Sequence, residues 1–392
     1  MESDPRSGKS AGPLAGYTVV ESASIVLGPT TGQYLADMGA DVIKVESPDG
    51  DLTRLIGPSR TEKMGALFLS CNRNKRSVVL DLTTASGRAD LHRLVAGADV
   101  LLHSVRSSAA SRLGVDAATA TALNPRLIHC QVSGFGDGGP YGGKPAYDDV
   151  VQALSGLAAL QSVVAGRPRY VPSIVADKIT GLHAAYAITL ALLHRERTGE
   201  GQAITVSMFE TVAAFTLVEH LWGHVFEPPL GPMGYPPVRD GNRQPFATTD
   251  GYLCVMPYSD AQWHRFFTVA GRPEVVADPR VGTFAGRQAN PAAWGEIGTV
   301  VATRSTAEWN ALLAGEDIPF AAVNTLEDLL VDPHLSEVGF WWTTPDQDGL
   351  ALRMPASPIG LSASPPALRL PPPRLGEHTA EILAALAPVG AS

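Results

Sequence analysis

The sequence predicts an α/β protein, in which a large domain with a doubly wound, mostly parallel sheet is followed by a smaller α+β domain. Two observations indicate this architecture. Short β-branched runs alternate with helical patterns through the first half of the 392 residues, and a Pro- and Gly-rich stretch at about 225–250 separates that half from the rest. Strands that alternate with helices are typical of βαβ units, whose parallel sheets are covered on both faces.

The first half contains six predicted strands, with the bounds 17–22, 41–46, 77–82, 99–105, 126–134 and 203–208. The predicted helices cover 31–40, 84–96, 177–198 and a segment from 208 to about 221. Asp177 is a plausible N-cap of the third helix, and Gly199 is a plausible stop signal. The apolar run 184–193 is shorter than a membrane span, so we interpret it as a buried helix.

The composition argues against several classes of protein. Hydrophobic residues make up 45% of the chain and charged residues 18%, which suits a sizeable core. The net charge of −9 disfavours nucleic-acid binding through a broad basic face. Three cysteines without CxxC spacing, Cys71, Cys130 and Cys254, argue against a disulfide framework or a zinc knuckle. Residues 1–12 lack the apolar segment of a secretory signal. We therefore predict a cytoplasmic protein with a disordered lead at 1–12.

The stretch GPTTGQYLADMGADVIKVES at 28–47 has the layout of a nucleotide site: a glycine-rich turn, a helix and a strand that ends in Glu46. A dinucleotide fingerprint requires GxGxxG directly after the first strand. Gly28 and Gly32 do not match that spacing, and Pro29 removes one N–H group that a phosphate would need. The pattern therefore argues against NAD. The free N–H groups of a helix N-terminus still suit an oxyanion.

Six blocks follow one another in order along nearly the whole chain: PLAGYTVVESASIVLGPTTGQYLADMGADVIKVESPDGDLTR (13–54), NRNKRSVVLDL (72–82), ADVLLHSVRSSAASRLGV (98–115), LNPRLIHCQVSGFGDGGPYGGKPAYDDVVQALSGL (123–157), ADKITGLHAAYAITLALLHRERTGEGQ (176–202) and LGEHTAEIL (375–383). In these blocks the chain resembles the class III CoA-transferases, or CaiB/BaiF family. That family includes formyl-CoA and carnitine CoA-transferases and the α-methylacyl-CoA racemases. The opening turn therefore resembles part of a CoA thioester site.

The resemblance implies an enzyme that moves CoA between an acyl-CoA donor and a carboxylic acid acceptor. It implies no metal, no tightly bound cofactor, and no nucleic-acid or membrane partner, with the CoA thioester as substrate. It also implies a large CoA-binding domain at 13–226, a small domain with its linkers at 227–340, and a return of 341–392 to the large domain. Family members are interlocked homodimers in which each chain threads through the other, and we expect the same here.

Asp177, in VADKITG, lies in the block where the transferases keep their nucleophilic aspartate. The resemblance implies that its carboxylate attacks the thioester and forms an aspartyl-CoA intermediate. This chemistry requires an ionised aspartate, and a helix N-terminus favours the charged form. From position alone, an N-cap of its helix is the favoured interpretation of Asp177, and the match to the family block reverses that preference.

Tyr147, in KPAYDD, distinguishes between members of the family. The racemases keep a histidine at this place and use it with the aspartate as a second base. Because a tyrosine with a pKa near 10 is a poor proton acceptor at neutral pH, its presence favours a transferase. Its hydroxyl would donate a hydrogen bond to the thioester. A packed aromatic side chain is the structural alternative.

The turn at 26–28 is expected to face the nucleophile. By resemblance, the backbone N–H groups of Leu27 and Gly28 stabilise the oxyanion. Val26 stands where formyl-CoA transferase has a glutamine, which argues against formyl and oxalyl substrates.

The resemblance implies contacts to the CoA nucleotide from four residues: Leu80, Ser104, Val105 and Arg112. Arg106 stands where the family usually has a small residue, and it is a candidate for an additional phosphate contact. Ser47 replaces an arginine of some relatives, so Arg54 and Lys75 are candidate substitutes for a phosphate contact.

Two further residues are candidate substrate contacts. Asp148 stands where some transferases keep a second active-site acid. Arg243, in GNRQP, is expected to hold the acceptor carboxylate, because guanidinium groups pair bidentately with carboxylates. The pair His220 and His224 has metal-ligand spacing but no further ligand cluster, so no metal is predicted.

Two other functions stay open at this stage. An α-methylacyl-CoA epimerase would need another base in place of the missing histidine. A non-catalytic CoA-binding protein would not need Asp177 at all.

Overall fold

The computed structural model describes residues 12–239, 243–346 and 348–386. These residues form two compact units. The first contains the described residues up to Ala158, Tyr170–Phe215 and the described residues from His334 onward. The second contains Ala159–Arg169 and Thr216–Pro333.

The strands of the described chain are, in order, β1 Thr18–Ser22, β2 Asp41–Glu46, β3 Lys75–Val79, β4 Val100–His103, β5 Ile128–Ser133, β6 Gln202–Ser207, β7 Phe246–Ala247, β8 Tyr252–Val255, β9 Phe320–Ala322, β10 Trp341–Pro345 and β11 Ala351–Pro355. The α-helices are α1 Leu27–Asp37, α2 Ala66–Cys71, α3 Ala85–Ala96, α4 Ser107–Leu113, α5 Ala117–Leu123, α6 Asp148–Leu154, α7 Leu157–Leu160, α8 Ser162–Ala165, α9 Val175–Thr198, α10 Met208–His220, α11 Pro236–Arg239, α12 Asp260–Val269, α13 Pro279–Gly282, α14 Phe284–Ala289, α15 Trp294–Val301, α16 Thr306–Leu313, α17 Pro333–Glu337 and α18 Thr379–Ala385. Short 3-10 helices cover Leu52–Leu55, Trp222–Val225, Pro273–Ala277, Pro291–Ala293 and Asp328–Leu330.

The central sheet of the first unit has six parallel strands in the order β3-β2-β1-β4-β5-β6. This arrangement confirms the predicted α/β class. After β1 the chain adds β2 and β3 on one side of the sheet. It then returns to the other side of β1 and adds β4, β5 and β6. In open α/β sheets, ligands bind outside the carboxyl ends of the strands at such a reversal. The site is therefore expected in the loops that follow β1 and β4.

Both faces of this sheet are covered by helices. Val19 packs into a core that includes residues of α1 and α9, and the next residue, Val20, packs into the opposite core with residues of α3 and α18. The alternation follows from the two-residue period of a strand. The C-terminal helix joins the same unit, because His378 N–H donates to Ser77 O on β3 at 3.0 Å.

The second unit has its own core. Its three short strands form an antiparallel sheet in the order β7-β8-β9. Large aromatic side chains pack behind this sheet, and Trp263, Phe266 and Trp309 are fully buried. The antiparallel sheet with separate helices agrees with the predicted α+β character.

Two predictions about helices need correction. The helix α1 begins at Leu27 rather than at 31, because Pro29 fits the first turn of a helix, where its missing N–H has no intrahelical partner. The long helix α9 is not buried all round. Ala184 and Ile188 face the core, whereas Tyr186 is 63% exposed and Leu190 is 46% exposed. A helix packs only one stripe against a sheet, so this chain leaves the opposite stripe uncovered.

Candidate active site

The strand reversal carries a cavity of about 310 Å³. Its walls come from the loops after β1, β4 and β5, and from the first turn of α9. It brings together five of the residues singled out from the sequence, namely Leu27, Ser104, Arg106, Tyr147 and Asp177. The position agrees with the rule that ligands bind at the reversal of an open α/β sheet.

Asp177 lies in the first turn of α9 rather than at its N-cap, because the helix begins two residues earlier, at Val175. The side chain is largely buried, with 8% of the residue exposed. Burial, as the larger cause, and the nearby negative charge of Asp148 together raise the pKa of Asp177 to about 7. The expected effect of the helix N-terminus is therefore outweighed by desolvation, and the carboxyl group titrates close to neutral pH.

Asp148 caps the helix that carries Asp177. Its Oδ2 accepts hydrogen bonds from the N–H groups of Ala176, at 2.6 Å, and Asp177, at 3.0 Å. Its Oδ1 accepts from Gln152 Nε2 at 2.6 Å. The carboxylate is 7% exposed and does not line the cavity. Asp148 therefore satisfies free N–H groups at the start of α9 and sets the electrostatic environment of Asp177.

Tyr147 lines the cavity and is 67% exposed, so a packed aromatic side chain does not describe it. It is the N-cap residue of α6, directly before Asp148. Among the described residues its hydroxyl has no hydrogen-bond partner. The hydroxyl is therefore available to a ligand in the cavity.

The turn between β1 and α1 has an unusual backbone. Ile25 lines the cavity and has φ of 72°, a left-handed conformation that a β-branched residue rarely adopts. Asp51 Oδ1 accepts the Ile25 N–H at 3.2 Å and also accepts from Thr53 N–H and Oγ1. A side chain at Gly28 would place a Cβ 2.2 Å from Ala23 Cβ, so this position requires glycine. Strained residues of this kind concentrate at functional sites.

A group of four buried charged side chains lies behind this turn: Glu21, Lys44, Asp51 and Lys75, here called the buried charge cluster. Lys44 Nζ lies 3.0 Å from Glu21 Oε1 and 3.0 Å from Asp51 Oδ2, and Lys75 Nζ lies 2.8 Å from Glu21 Oε2. Helix α1 packs directly onto it. A Cβ at Gly32 would lie 1.9 Å from Glu21 Oε2. Gly32 therefore allows α1 to pack closely against Glu21. This packing role does not require a dinucleotide, in agreement with the absence of the GxGxxG fingerprint.

The two candidate substitutes for a phosphate contact are wrong. Lys75 is fully buried and donates to Pro29 O and Asn72 Oδ1 in addition to its pairing with Glu21. Arg54 is 1% exposed and holds Glu46 through two hydrogen bonds of 2.7 Å. Since buried charges are normally paired, both side chains are committed to the fold.

The remaining candidates lie outside the cavity lining. Val26 and Leu80 are core residues, Val105 packs against the same core as Leu80, and Arg112 is exposed in the last turn of α4. Val26 is the N-cap residue of α1. Gly28 lies in the first turn of α1, where the helix provides no acceptor for the backbone N–H.

Arg243 lies in the second unit and lines a different cavity. Two residues of its GNRQP block, Gly241 and Asn242, fall outside the described residues, as do most of the 1–12 lead and the end of the 341–392 segment.

Several cavity residues were not identified from the sequence. Lys144 lines the cavity and places its ammonium group 4.7 Å from the centre of the Tyr141 ring. Gln131 donates to Ser107 Oγ at 2.8 Å, and Ser107 donates to Asp137 at 2.5 Å. The sequence signal for Lys144 is its position in a glycine-rich loop, three residues before Tyr147, which places a cation close to the ligand site.

Comparison with known proteins identifies the same family that the six sequence blocks resemble. The model of CoA-transferase family III matches residues 14–379. Succinate–glutarate CoA-transferase of Agrobacterium fabrum is 35% identical over 393 residues, covering 95% of this chain and 96% of that protein. A crystal structure of a CAIB/BAIF family protein from Brucella suis is 34% identical with a TM-score of 0.82, covering 96% of this chain and all of that one. The fold and the cavity belong to an enzyme of the CoA-transferase type. The chain is a member of CoA-transferase family III, and thus a class III CoA-transferase.

No group of three or more His, Cys, Asp or Glu residues is arranged to hold a metal ion among the described residues of the chain. His220 instead accepts the Tyr235 N–H through Nδ1 at 3.2 Å. Within the same residues, no helix has both the length and the apolar character required to cross a lipid bilayer.

Proposed function

We propose that this enzyme transfers CoA through a covalent intermediate on Asp177. The observation that carries the proposal is the placement of this carboxyl group: it lies in the cavity at the strand reversal, with a pKa near 7, beside an unpaired Tyr147 hydroxyl and the first turn of α1. A nucleophile that titrates near neutral pH is available in its ionised form while it retains basicity.

The proposed reaction proceeds by exchange at one carbonyl group at a time. An Asp177 carboxylate oxygen attacks the acyl-CoA carbonyl carbon, the C–S bond breaks, and CoA leaves as the thiolate. The thiolate then attacks the aspartyl carbonyl of the mixed anhydride, which releases the donor acid as a carboxylate. The acceptor carboxylate attacks the aspartyl thioester, its C–S bond breaks, and the CoA thiolate leaves behind a second anhydride. The CoA thiolate then attacks the acyl carbon that comes from the acceptor. This step forms the new acyl-CoA and releases the Asp177 carboxylate. No redox step occurs.

Four residues support these steps. The backbone N–H groups of Leu27 and Gly28 at the start of α1 would donate to the oxyanion of each tetrahedral intermediate. The Tyr147 hydroxyl would donate to the thioester carbonyl. The strained Ile25 turn would hold these donors in position before the substrate arrives.

The test is mass spectrometry of the intact protein after incubation with a panel of acyl-CoA donors, with hydroxylamine present to trap acyl-aspartate. Succinyl-CoA and glutaryl-CoA belong in the panel, because a similar protein is named for those acids. A hydroxamate on Asp177 supports the proposal. Protein that binds CoA but takes up no label from any donor contradicts it. Uptake of deuterium at the α-carbon of a methylacyl-CoA would then identify an epimerase.

The electrostatic coupling between Asp177 and Asp148 gives a pH prediction. Because only the Asp177 carboxylate attacks, kcat/KM is expected to rise with pH and to level off above about pH 7. Asp148→Asn removes a negative charge that raises the pKa of Asp177, so the rise should move to lower pH. Steady-state rates measured across pH test this. Asp149→Asn changes an exposed acid on the same helix and should leave the profile unchanged. An unshifted profile in Asp148→Asn contradicts the electrostatic role.

The cations of the cavity give a prediction for CoA binding. Arg106 and Lys144 are exposed side chains of the cavity wall, and CoA carries phosphate groups. Arg106→Ala and Lys144→Ala are each expected to weaken CoA binding roughly tenfold, as for the loss of one charge-assisted contact. Calorimetry with CoA tests this. Arg265→Ala serves as the comparison, because Arg265 is a surface arginine of the second unit that pairs with Glu316 and lies outside the cavity lining. Equal losses in all three variants would indicate only a general charge effect.

We also propose that the chain forms a homodimer. The uncovered stripe of α9 contains Leu182, Tyr186, Leu190 and Leu193, which are 46–63% exposed. Burial of such a stripe in a second copy would remove large apolar side chains from water. Light scattering after size exclusion should give twice the mass of one chain, 41.2 kDa. Tyr186→Glu is expected to yield monomer, and a monomeric parent protein contradicts the proposal.

A further inference from the structure

The second unit contains a cavity of its own. Its volume is about 170 Å³, and its walls include Trp222 of the 3-10 helix at Trp222–Val225, the Arg243 side chain and residues of the helices α14 and α15. Ligand pockets for drug-sized molecules have volumes of roughly 300 Å³ or more. An occupant of this smaller cavity would therefore be a compact molecule, of the size of one ring with a short substituent.

The walls of this cavity are unusually aromatic. Five aromatic side chains line it: Trp222, Tyr235, Tyr258, Phe284 and Trp294. Three of them remain open to solvent, since Trp222 is 45% exposed, Phe284 46% and Tyr258 63%. The Tyr258 and Phe284 rings lie 6.2 Å apart and the Trp222 and Tyr235 rings 5.5 Å apart, which are distances of ring pairs. Such surfaces favour a flat apolar body that stacks on them.

Trp222 also has a strained backbone. Its φ is 43°, in the left-handed region that bulky residues rarely adopt. Gly223 beside it packs against the Gly231 backbone, where an added Cβ would lie 2.5 Å from Gly231 O. This close packing holds the indole at the cavity wall. The conformation is one that persists only where the surroundings impose it, as at ligand sites.

The two arginines of the wall differ in their partners. Arg287 is buried, donates to Asp260 at 2.6 Å and to Val281 O at 2.8 Å, and lies over the Trp263 ring. Its charge is balanced by the protein. Arg243 has no hydrogen bond or ion pair with any described residue and is only partly exposed. A guanidinium group with unused donors is suited to a carboxylate, which it binds through two parallel hydrogen bonds.

We propose that this cavity binds a small carboxylic acid with an aromatic ring, whose carboxylate pairs with Arg243 and whose ring stacks between the exposed aromatic side chains. An aliphatic dicarboxylate fits less well, because its second charge would lie against apolar walls with no second unpaired cation among the described residues of the lining. The proposal concerns binding to the second unit and does not depend on the covalent reaction at Asp177.

The test is direct binding to the full chain without any acyl-CoA. Benzoate, benzyl alcohol and glutarate are titrated by calorimetry, with tryptophan fluorescence as a second readout because Trp222 and Trp294 line the cavity. Benzoate is expected to bind at least about tenfold more tightly than the neutral alcohol, which lacks the charge-assisted contact with Arg243. It is also expected to bind more tightly than glutarate, whose second charge would lie against apolar walls. Arg243→Gln should weaken benzoate by a similar factor and leave benzyl alcohol unchanged.

Matched variants separate the roles of charge and ring. Arg272→Gln removes a surface arginine that pairs with Glu274 outside the cavity, and it should leave benzoate binding unchanged. Tyr258→Leu should weaken benzoate more than glutarate. Benzoate binding that is insensitive to Arg243→Gln, or tighter binding of glutarate than benzoate, overturns the proposal. Displacement of benzoate by a lower concentration of adenosine would show a purine site and would overturn it as well. Because no donor is present, none of these results bears on the labelling of Asp177.

Discussion

Asp177→Asn is expected to reduce CoA transfer by a factor of roughly a thousand or more, because the nucleophile that accepts the acyl group is lost. CoA binding should be nearly unchanged, since the amide has the shape of the carboxylic acid. Hydroxylamine should trap no label in this variant. Initial rates with the best donor of the labelling panel, together with calorimetry for CoA, measure both effects.

The same variant is expected to be more stable than the parent protein. The ordinary pKa of an aspartate is 3.8, and the folded value for Asp177 is about 7. The folded protein therefore holds this proton more tightly than the unfolded chain, so the free energy of unfolding falls as pH rises from about 4 to about 7. An amide cannot ionise. Above about pH 7, Asp177→Asn should gain up to about 4 kcal/mol by this linkage.

Denaturant unfolding at several pH values measures that gain. The comparison is Asp149→Asn, which removes an exposed acid of α6 and should change neither stability nor transfer. A large loss of activity without the pH-dependent gain in stability would mean that the pKa of Asp177 is not raised. Retained activity would exclude the covalent reaction.

Asp51→Ala is expected to lower the free energy of unfolding by about 3–5 kcal/mol, as for other buried pairs that lose one partner. Lys44 would keep Glu21 but lose its second carboxylate, at 3.0 Å. Ile25 would also lose the acceptor that holds its left-handed backbone. Although burial alone would raise it, the Lys44 ammonium and the Thr53 N–H hold the pKa of Asp51 below its ordinary value. The carboxylate is therefore charged at neutral pH.

Urea unfolding and kinetics on the folded protein at low temperature test both consequences. Asp49→Ala is the matched control, because Asp49 is an exposed acid two residues away. Ile25→Gly supplies a second measurement. Glycine adopts a φ of 72° without strain, so this variant should keep most of the transfer activity even if Asp51→Ala loses it. A loss of less than about 1 kcal/mol in Asp51→Ala would contradict the role of the pair.

The sheet was predictable because its signals are local. The β2 strand has the predicted bounds, 41–46, and the other strands of the central sheet differ from prediction by at most three residues at either end. Parallel strands covered on both faces appear in the sequence as continuous apolar runs. The start of α9 was misplaced by two residues, because the cap is supplied by Asp148, 29 positions before Asp177, rather than by a neighbour in the sequence.

The roles of charged residues were harder to predict. Arg54 and Lys75 are of residue types that commonly bind phosphate. Their carboxylate partners, Glu46 on β2 and Glu21 on β1, lie on other elements of the fold, and each cation is buried in its ion pair. Among the described residues Lys144 has no such partner. Its one local signal, a position three residues before Tyr147 in a glycine-rich loop, does not by itself distinguish a cation at a cavity from one in solvent. The raised pKa of Asp177 depends on burial, which only the assembled fold reveals.

The buried charge cluster also bears on how this chain can change over generations. Glu21 and Asp51 each carry one negative charge, Lys44 and Lys75 each carry one positive charge, and the sum is zero. A single exchange that removes or reverses a charge at any of the four positions leaves one charge without its counterpart inside the protein. Neutral drift at this place must therefore pass through compensating double exchanges. In diverging relatives these four positions should co-vary as a unit, while the cavity wall in front of them is free to adapt to new acids.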